Sequence, residues 1–495
     1  MNYHIFRKTV AVFLIALFAV PATMSAQTST AIEVSGWIPY WRSEKGVESV
    51  VPQLGSFTEI NPFMYTVKLD GTLNQAGKIT DAEWVTLKSA AKAQGVRFVP
   101  TVMWSNSDAI DEVLKDPVQR QKHIQSIASE VFRYNYDGID IDYEGKYART
   151  RPHFSLFLKE LNDAIGYNKW VMCTIEARTP LDARYSSTES IPTDIEYAND
   201  FKEISTYCDR VRFMTYDQGR IDLKLNAAKG QSEPYIPVAD TEWVEKAIRL
   251  AMQEIPKEKI MIGVATYGYE HDMFPSTTGS GKMAYSQLWA FNPGYATDIA
   301  TKLGIAPVRG NSGELILTFP ASKSPEPVIP LPNATRVLSW SDAEAIKQKA
   351  DLAARLGVRG ISIFKIDGGQ DPNLWGVLAQ YKGSEPRVAT KPISLVLAQT
   401  DTASPVTPAA PVASVKVPTK NFEMGALGED VRTLQKYLNA KGYQVAKTGA
   451  GSPGNETTKF GAATKAALIK FQTANKITPA KGYFGPVTRA KMQAQ

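Results

Sequence analysis

Eight short runs rich in β-branched and aromatic residues recur along the first 366 positions, and they restrict this chain of 495 residues more than any other feature. They fall at 32–41, 59–67, 96–104, 136–144, 170–176, 210–216, 259–267 and 360–366. Between most of them apolar residues recur at helical spacing, as at 81–94, 116–134, 154–165 and 241–254, with 342–356 ahead of the last run. Strands alternating with helices imply parallel strands joined by crossovers, and eight such units are what a closed barrel needs. An open doubly wound sheet leaves a similar trace. Against it, no glycine-rich phosphate loop follows the first run, where that fold carries its nucleotide. The expected fold class is α/β, a (β/α)8 TIM barrel. Residues 271–336, between the seventh and eighth runs, are too many for a loop and contain a strand-like stretch at 314–319, so they read as a small inserted subdomain on the barrel rim.

The ends of the chain differ from this body. Arg7 and Lys8 precede an apolar run at 9–20 and small residues through Ala22 and Ala26, the layout of a secretory signal. An uncleaved anchor is the alternative, but twelve apolar-run residues fall short of the roughly 20 that span a bilayer. Export with cleavage of 1–26, leaving no membrane segment, is the expectation. Residues 386–420 hold six prolines, no glycine and no aromatic, which describes a semi-extended linker; its apolar patch at 393–398 is alternatively a short strand. The barrel is thereby assigned to 27–385 and a tail module to 421–495. The net charge of +6 is too slight to point to nucleic acid, but the tail holds eleven Lys or Arg against four Asp or Glu. Cys173 and Cys208 make no disulfide framework and lack metal-ligand spacing. They can pair in an oxidising compartment, yet one lies inside a strand run and the other at the start of the next, so two buried thiols are expected.

The fourth run carries the chemistry. In Tyr136-Asp-Gly-Ile-Asp-Ile-Asp-Tyr-Glu144, strand alternation turns Ile139, Ile141 and Tyr143 one way and Asp140, Asp142 and Glu144 the other. In a barrel the apolar set meets the helices and the acidic set looks inward. Three stacked carboxylates in a restricted interior repel one another and lose solvent, which favours a retained proton. Glu144, at the carboxyl end of its strand, is placed to act as a general acid with Asp142 beneath it. A calcium loop would need polar and glycine-rich residues where Ile and Tyr stand, so no metal is expected. A solvated edge strand fits poorly in the middle of eight buried strands.

At this point the chain resembles glycoside hydrolase family 18, the chitinase-like enzymes. Asp137-Gly-Ile-Asp140-Ile-Asp142-Tyr-Glu144 matches the family's D-G-x-D-x-D-x-E pattern on the fourth strand, and Met214-Thr-Tyr216-Asp217 on the sixth is similar to its M-x-Y-D. The resemblance spans about 32–382. It implies that Glu144 protonates the glycosidic oxygen while Asp142 orients the substrate's own 2-acetamido group as nucleophile. It further implies that Asp140 supports Asp142 and that Tyr216 and Asp217 hold the acetamido group, with retained configuration and no cofactor. The same resemblance implies that Met214 belongs to that binding wall. Two departures weaken crystalline chitin as substrate. Thr101-Val-Met-Trp104-Ser-Asn106 stands where S-x-G-G is common, and Phe364 stands where a tryptophan usually underlies the cleaved sugar. The second strand, Ile60-Asn-Pro-Phe-Met-Tyr65, is similar to the bacterial cell-wall-lytic branch. Tyr40, Trp41, Tyr65, Trp104 and Tyr267 lie at strand ends, where they either line the sugar groove or pack the rim.

In the tail, Asp430-Val-x-x-Leu434-Gln435, Phe460-Gly-x-x-Thr464, Phe471-Gln472 and the turn at Gly485 before Thr488 mark three short helices. They resemble the peptidoglycan-binding domain type 1 of secreted wall hydrolases, with a longer loop at 449–459. The positive charge suits anionic wall polymers or is simply a solvated lysine face, and no base-reading motif supports DNA. The combined expectation is a secreted, monomeric, retaining hydrolase of N-acetylated wall glycan. A chitinase using the same chemistry is the alternative. A silent glycan-binding protein is a further one, disfavoured because Glu144, Asp142 and Tyr216 are all present.

Overall fold

The structure, a computed structural model, describes residues 32–166, 168–276, 283–326 and 333–381, and in the tail 417–418, 422, 424–426, 428–475, 477 and 480–493. The expected signal at 1–26 and nearly all of the expected linker at 386–420, its apolar patch included, lie outside the described residues. The chain divides into two compact units, 1–393 and 394–495.

In the first unit eight parallel strands close a barrel: β1 (Glu33–Pro39), β2 (Glu59–Val67), β3 (Thr101–Trp104), β4 (Gly138–Tyr143), β5 (Trp170–Glu176), β6 (Arg210–Met214), β7 (Ile260–Ala265) and β8 (Gly360–Phe364). Each pairs with its neighbours in sequence, and β1 pairs with both β2 and β8, so the barrel leaves no edge unpaired. The run at 96–104 is split into Arg97–Phe98 and β3 around Pro100, which has no N–H to give the ladder. Helices Ala82–Ala93, Pro117–Arg133, Arg151–Ile165, Thr241–Ala251 and Ala343–Leu356 cover the outside where helical spacing placed them. Several start on an aspartate whose carboxylate accepts first-turn N–H groups, as Asp116 does from Val118 and Gln119. Ile139, Ile141 and Tyr143 are buried in one apolar layer with Phe154, Phe157 and Leu158 of the Arg151–Ile165 helix, each isoleucine contributing about 1.5–3 kcal/mol. Gly138 opens β4 where β5 crowds it: a Cβ there would sit 2.3 Å from the Trp170 carbonyl oxygen.

The barrel floor is ionic. Glu33 binds Arg97 (3.2 Å), Arg210 (2.7 Å) and Arg359 (2.7 Å), while Glu59 binds Arg97 (2.9 Å) and Arg212. Burial opposes ionisation of Glu33, but Arg97, Arg210 and Arg359 outweigh it and hold the carboxyl well below the usual range. Arg212 extends this network upward, its Nη1 lying 2.9 Å from Asp140. The catalytic-looking ladder therefore stands on fixed positive charge.

Between β7 and β8 the inserted subdomain forms a five-stranded antiparallel sheet, in the order Met283–Phe291, Gly268–Pro275, Thr335–Trp340, Leu315–Pro320, Val308–Arg309. Helix Pro293–Leu303 packs on it through Ala296, Ile299 and Ala300. The sheet begins at Gly268 and ends at Trp340, a few residues outside the expected 271–336.

The cysteines overturn the expectation of two thiols. Cys173 on β5 and Cys208, which ends helix Phe201–Tyr207, form a disulfide with Cα atoms 5.9 Å apart. The chain approaching β6 comes up beside β5, so both side chains enter the same layer between sheet and helices, within bonding reach.

In the second unit, helices Glu429–Ala440, Ala462–Ala474 and Pro486–Gln493 enclose Leu434, Leu438, Phe460, Leu468, Phe471 and Phe484. Gly442 (φ 83°) terminates the first helix. Gln435 and Gln472 are buried and do the same work in successive helices. Each donates to a loop carbonyl and to a threonine of the next helix: Lys459 and Thr464 for Gln435, Tyr483 and Thr488 for Gln472. The 449–459 loop is tied back by Asn439, which donates to the Gly451 carbonyl and to Glu456.

Candidate active site

Strand β4 delivers its three carboxylates inward at rising height, because a period of two keeps Asp140 and Asp142 on one face with Glu144 next in line. Asp140 is wholly buried and accepts from Trp37 Nε1 (3.0 Å), Thr101 Oγ1 (2.8 Å) and Thr174 Oγ1 (2.9 Å). Burial pushes its carboxyl up to about 6 against the pull of those donors. Asp142 is buried too, yet its Oδ1 has no hydrogen-bond partner among the described residues. Burial, then the charges of Glu144 and Asp140, push its carboxyl well up, with Lys146 opposing. Glu144 is half-buried at the top. Burial and then the Glu176 charge raise it, and Lys146 again opposes. No hydrogen bond joins Asp142 to Glu144 or to Asp140 among the described residues, so the two upper carboxylates interact through space. Such a pair holds a proton to higher pH than separate carboxylates do.

Beyond β6, Tyr216 is raised by burial and then by the charge of Asp142. Its ring stacks on Phe364 at 5.7 Å between centroids. Asp217 adopts a left-handed backbone (φ 58°), which aspartate tolerates, and its Oδ1 accepts the hydroxyls of Tyr267 (2.6 Å) and Tyr269 (2.8 Å). A cleft of about 350 Å³ is walled by Trp41, Tyr267, Tyr269, Phe364, Asp217 and Lys365, among others. Asp140, Asp142 and Glu144 are not among its lining residues, and Phe364 on its wall stacks on Tyr216. Met214 ends β6 on the inner face, level with Glu176 of β5.

Of the aromatics placed in the groove by sequence, Trp41 and Tyr267 line the cleft and Tyr40 does not, standing exposed at the rim against the edge of Trp41. Two are corrected. Tyr65 is buried on the outer face, its hydroxyl bonded to Glu130 and Tyr136, because the β2–β3 register slips one residue between Phe63 and Tyr65 and reverses the facing. Trp104 pairs with Tyr143 in register and so shares its outward parity, packing on Tyr143 (5.5 Å) and His123 (5.3 Å).

Sequence reasoning missed Trp37, Thr101, Thr174 and Arg212, which hold Asp140, and Glu176 and Lys146, which flank Glu144. The parity of Thr174 and Glu176 on β5 was the available signal for two of them. It becomes informative only once the register sets Asp142 beside Thr174.

Comparison with known proteins identifies the family and the fold. The family model described as Glycosyl hydrolases family 18 matches residues 40–369, and that of a putative peptidoglycan binding domain matches 428–492. The chain is similar to the cortical fragment-lytic enzyme of Bacillus cereus, 22% identical over 335 residues that cover 65% of this chain and 69% of that one. Among solved structures it shares the fold of the Bacillus cereus spore cortex-lytic enzyme SleL, at TM-score 0.54 and 20% identity over 71% of this chain and 74% of that one. It also shares the fold of a class V chitinase from Pseudomonas fluorescens Pf-5, at TM-score 0.56 and 21% identity over 71% of this chain and all of that one. With the family model covering most of the chain and the acidic ladder set in a TIM barrel, the chain belongs to glycoside hydrolase family 18 and is a glycosidase that carries a peptidoglycan-binding domain.

Proposed function

We propose that this glycosidase is exported and cleaves β-1,4 bonds of N-acetylated bacterial wall glycan with retention, using the substrate's own acetamido group. Glu144 gives its proton to the glycosidic oxygen, and the acetamido carbonyl oxygen attacks the anomeric carbon as the bond to the leaving sugar breaks. Asp142 accepts the acetamido N–H and offsets the positive charge that develops on the cyclic intermediate, while Tyr216 donates its hydroxyl to the acetamido oxygen. Ionised Glu144 then takes a proton from water, which opens the ring on the original face.

The observation that carries this reading is the buried Oδ1 of Asp142 beneath Glu144, which has no hydrogen-bond partner among the described residues. Leaving a buried acceptor unsatisfied costs about 1–3 kcal/mol, a cost that a substrate N–H removes. A wall substrate is supported by the peptidoglycan-binding domain and by relatives named for lysis of cortical fragments. Attachment of that module to the barrel would raise the local concentration of enzyme at the wall. Purified sacculi and chito-oligosaccharides incubated in parallel, with new reducing ends identified, test the assignment. Release from sacculi is expected. Inert sacculi with cleaved chitin would make the protein a chitinase, and two inert substrates would contradict the proposed substrate class.

A further inference from the structure

Two charged residues beside Glu144 have no part in the chemistry above. The register that sets Asp142 beside Thr174 brings Glu176, at the end of β5, level with Glu144. Glu176 Oε1 accepts the N–H of Gly145 (2.8 Å), the residue directly after Glu144, and its Oε2 accepts Asn199 Nδ2 (2.8 Å). Lys146 follows Gly145, and its side chain is completely enclosed. Its Nζ donates to the Tyr143 carbonyl, lies 3.8 Å from Glu176 Oε2 and stands 4.6 Å over the Phe154 ring. Enclosing an ammonium group is costly unless it is paired. The seam between β4 and β5 has its own backbone ladder and does not need this pair for cohesion. What the pair does grip is the left-handed turn at Gly145 (φ 64°) that carries Glu144.

We propose that Glu176 and Lys146 are a positioning pair for Glu144: Glu176 pins the turn behind it through Gly145, and the two opposite charges together set the pH at which Glu144 surrenders its proton. This rests on the reading of Glu144 as the acid. The charged and titratable groups acting on Glu144 are Asp142 from its own strand, Glu176 from β5, Lys146 from the following turn, and Asp217 with Tyr216 beyond β6. Glu176 and Asp217 favour its protonated form and Lys146 favours its ionised form. An acid must be protonated to act, so activity falls as pH rises through its titration, and this fall is the basic limb of the profile.

The test is kcat/KM against pH for the full chain and for Glu144→Gln, Glu176→Gln, Lys146→Met and the double variant Lys146→Met/Glu176→Gln. Glu176→Gln keeps an acceptor for Gly145 but loses the charge, so its basic limb moves to lower pH. Lys146→Met moves the limb to higher pH. Each shift is about half to one pH unit, reduced by solvent because the Glu176 side chain is 41% exposed. The double variant returns toward the parent. Limbs that stay put, or move the same way in both single variants, overturn the proposal, since a merely structural role lowers rate without opposite displacements. If Lys146→Met does not fold, Glu176→Gln decides alone: an unmoved or raised limb overturns it. Parent-like turnover by Glu144→Gln would instead overturn the reading of the acid.

Discussion

In the proposed mechanism Glu144 is the residue on which the chemistry turns. Replacing it with glutamine preserves size and hydrogen-bonding capacity but removes the transferable proton. Glu144→Gln is therefore expected to lower kcat by about 10²–10⁴ with glycan binding kept, and turnover on an N-acetylated oligosaccharide beside a binding isotherm checks both. The carboxylates Asp140, Asp142 and Glu144 were readable from sequence because strand parity is a local property. The same rule, applied to β3, would have turned Trp104 away from the groove, since it shares the parity of Val102 rather than that of Thr101. Tyr65 was not readable in this way. Its facing depends on a one-residue slip between β2 and β3, which belongs to a pair of strands and not to either one. Glu176 and Lys146 fall between these cases, with visible side chains but an invisible neighbour until the β4–β5 register is known.

Among the elements, strands and helices fell close to where periodicity placed them, because each barrel unit repeats a buried strand and an amphipathic helix whose patterns differ strongly. Proline marked the one interrupted run. The misjudged feature was the link between elements, namely Cys173 and Cys208. Proximity between a mid-strand residue and the C-cap of the next helix depends on how far that helix brings the chain back along the barrel. With the cysteines separated by 35 positions in sequence, the disulfide is expected to stabilise by about 3–4 kcal/mol through loop closure. Thermal melts of the parent and of Cys173→Ala/Cys208→Ala measure this. A clear fall in melting temperature is predicted for the double variant, and equal melting temperatures would contradict a stabilising role for this bond.

At the scale of the molecule, the barrel organises charge by height. Paired arginines and glutamates form the floor, Arg212 links them to Asp140, and the ladder above ends at the half-buried Glu144. No carboxylate fixed across the scissile bond is required if the attacking atom belongs to the sugar. The proposed attack by the sugar's own oxygen fixes the stereochemistry of the product. Time-resolved proton NMR of an N-acetylated oligosaccharide during cleavage reads the anomeric configuration of the product before it equilibrates. Two displacements at one carbon predict that the β-anomer is released first; an α-anomer released first would mean single displacement by water and would contradict the account.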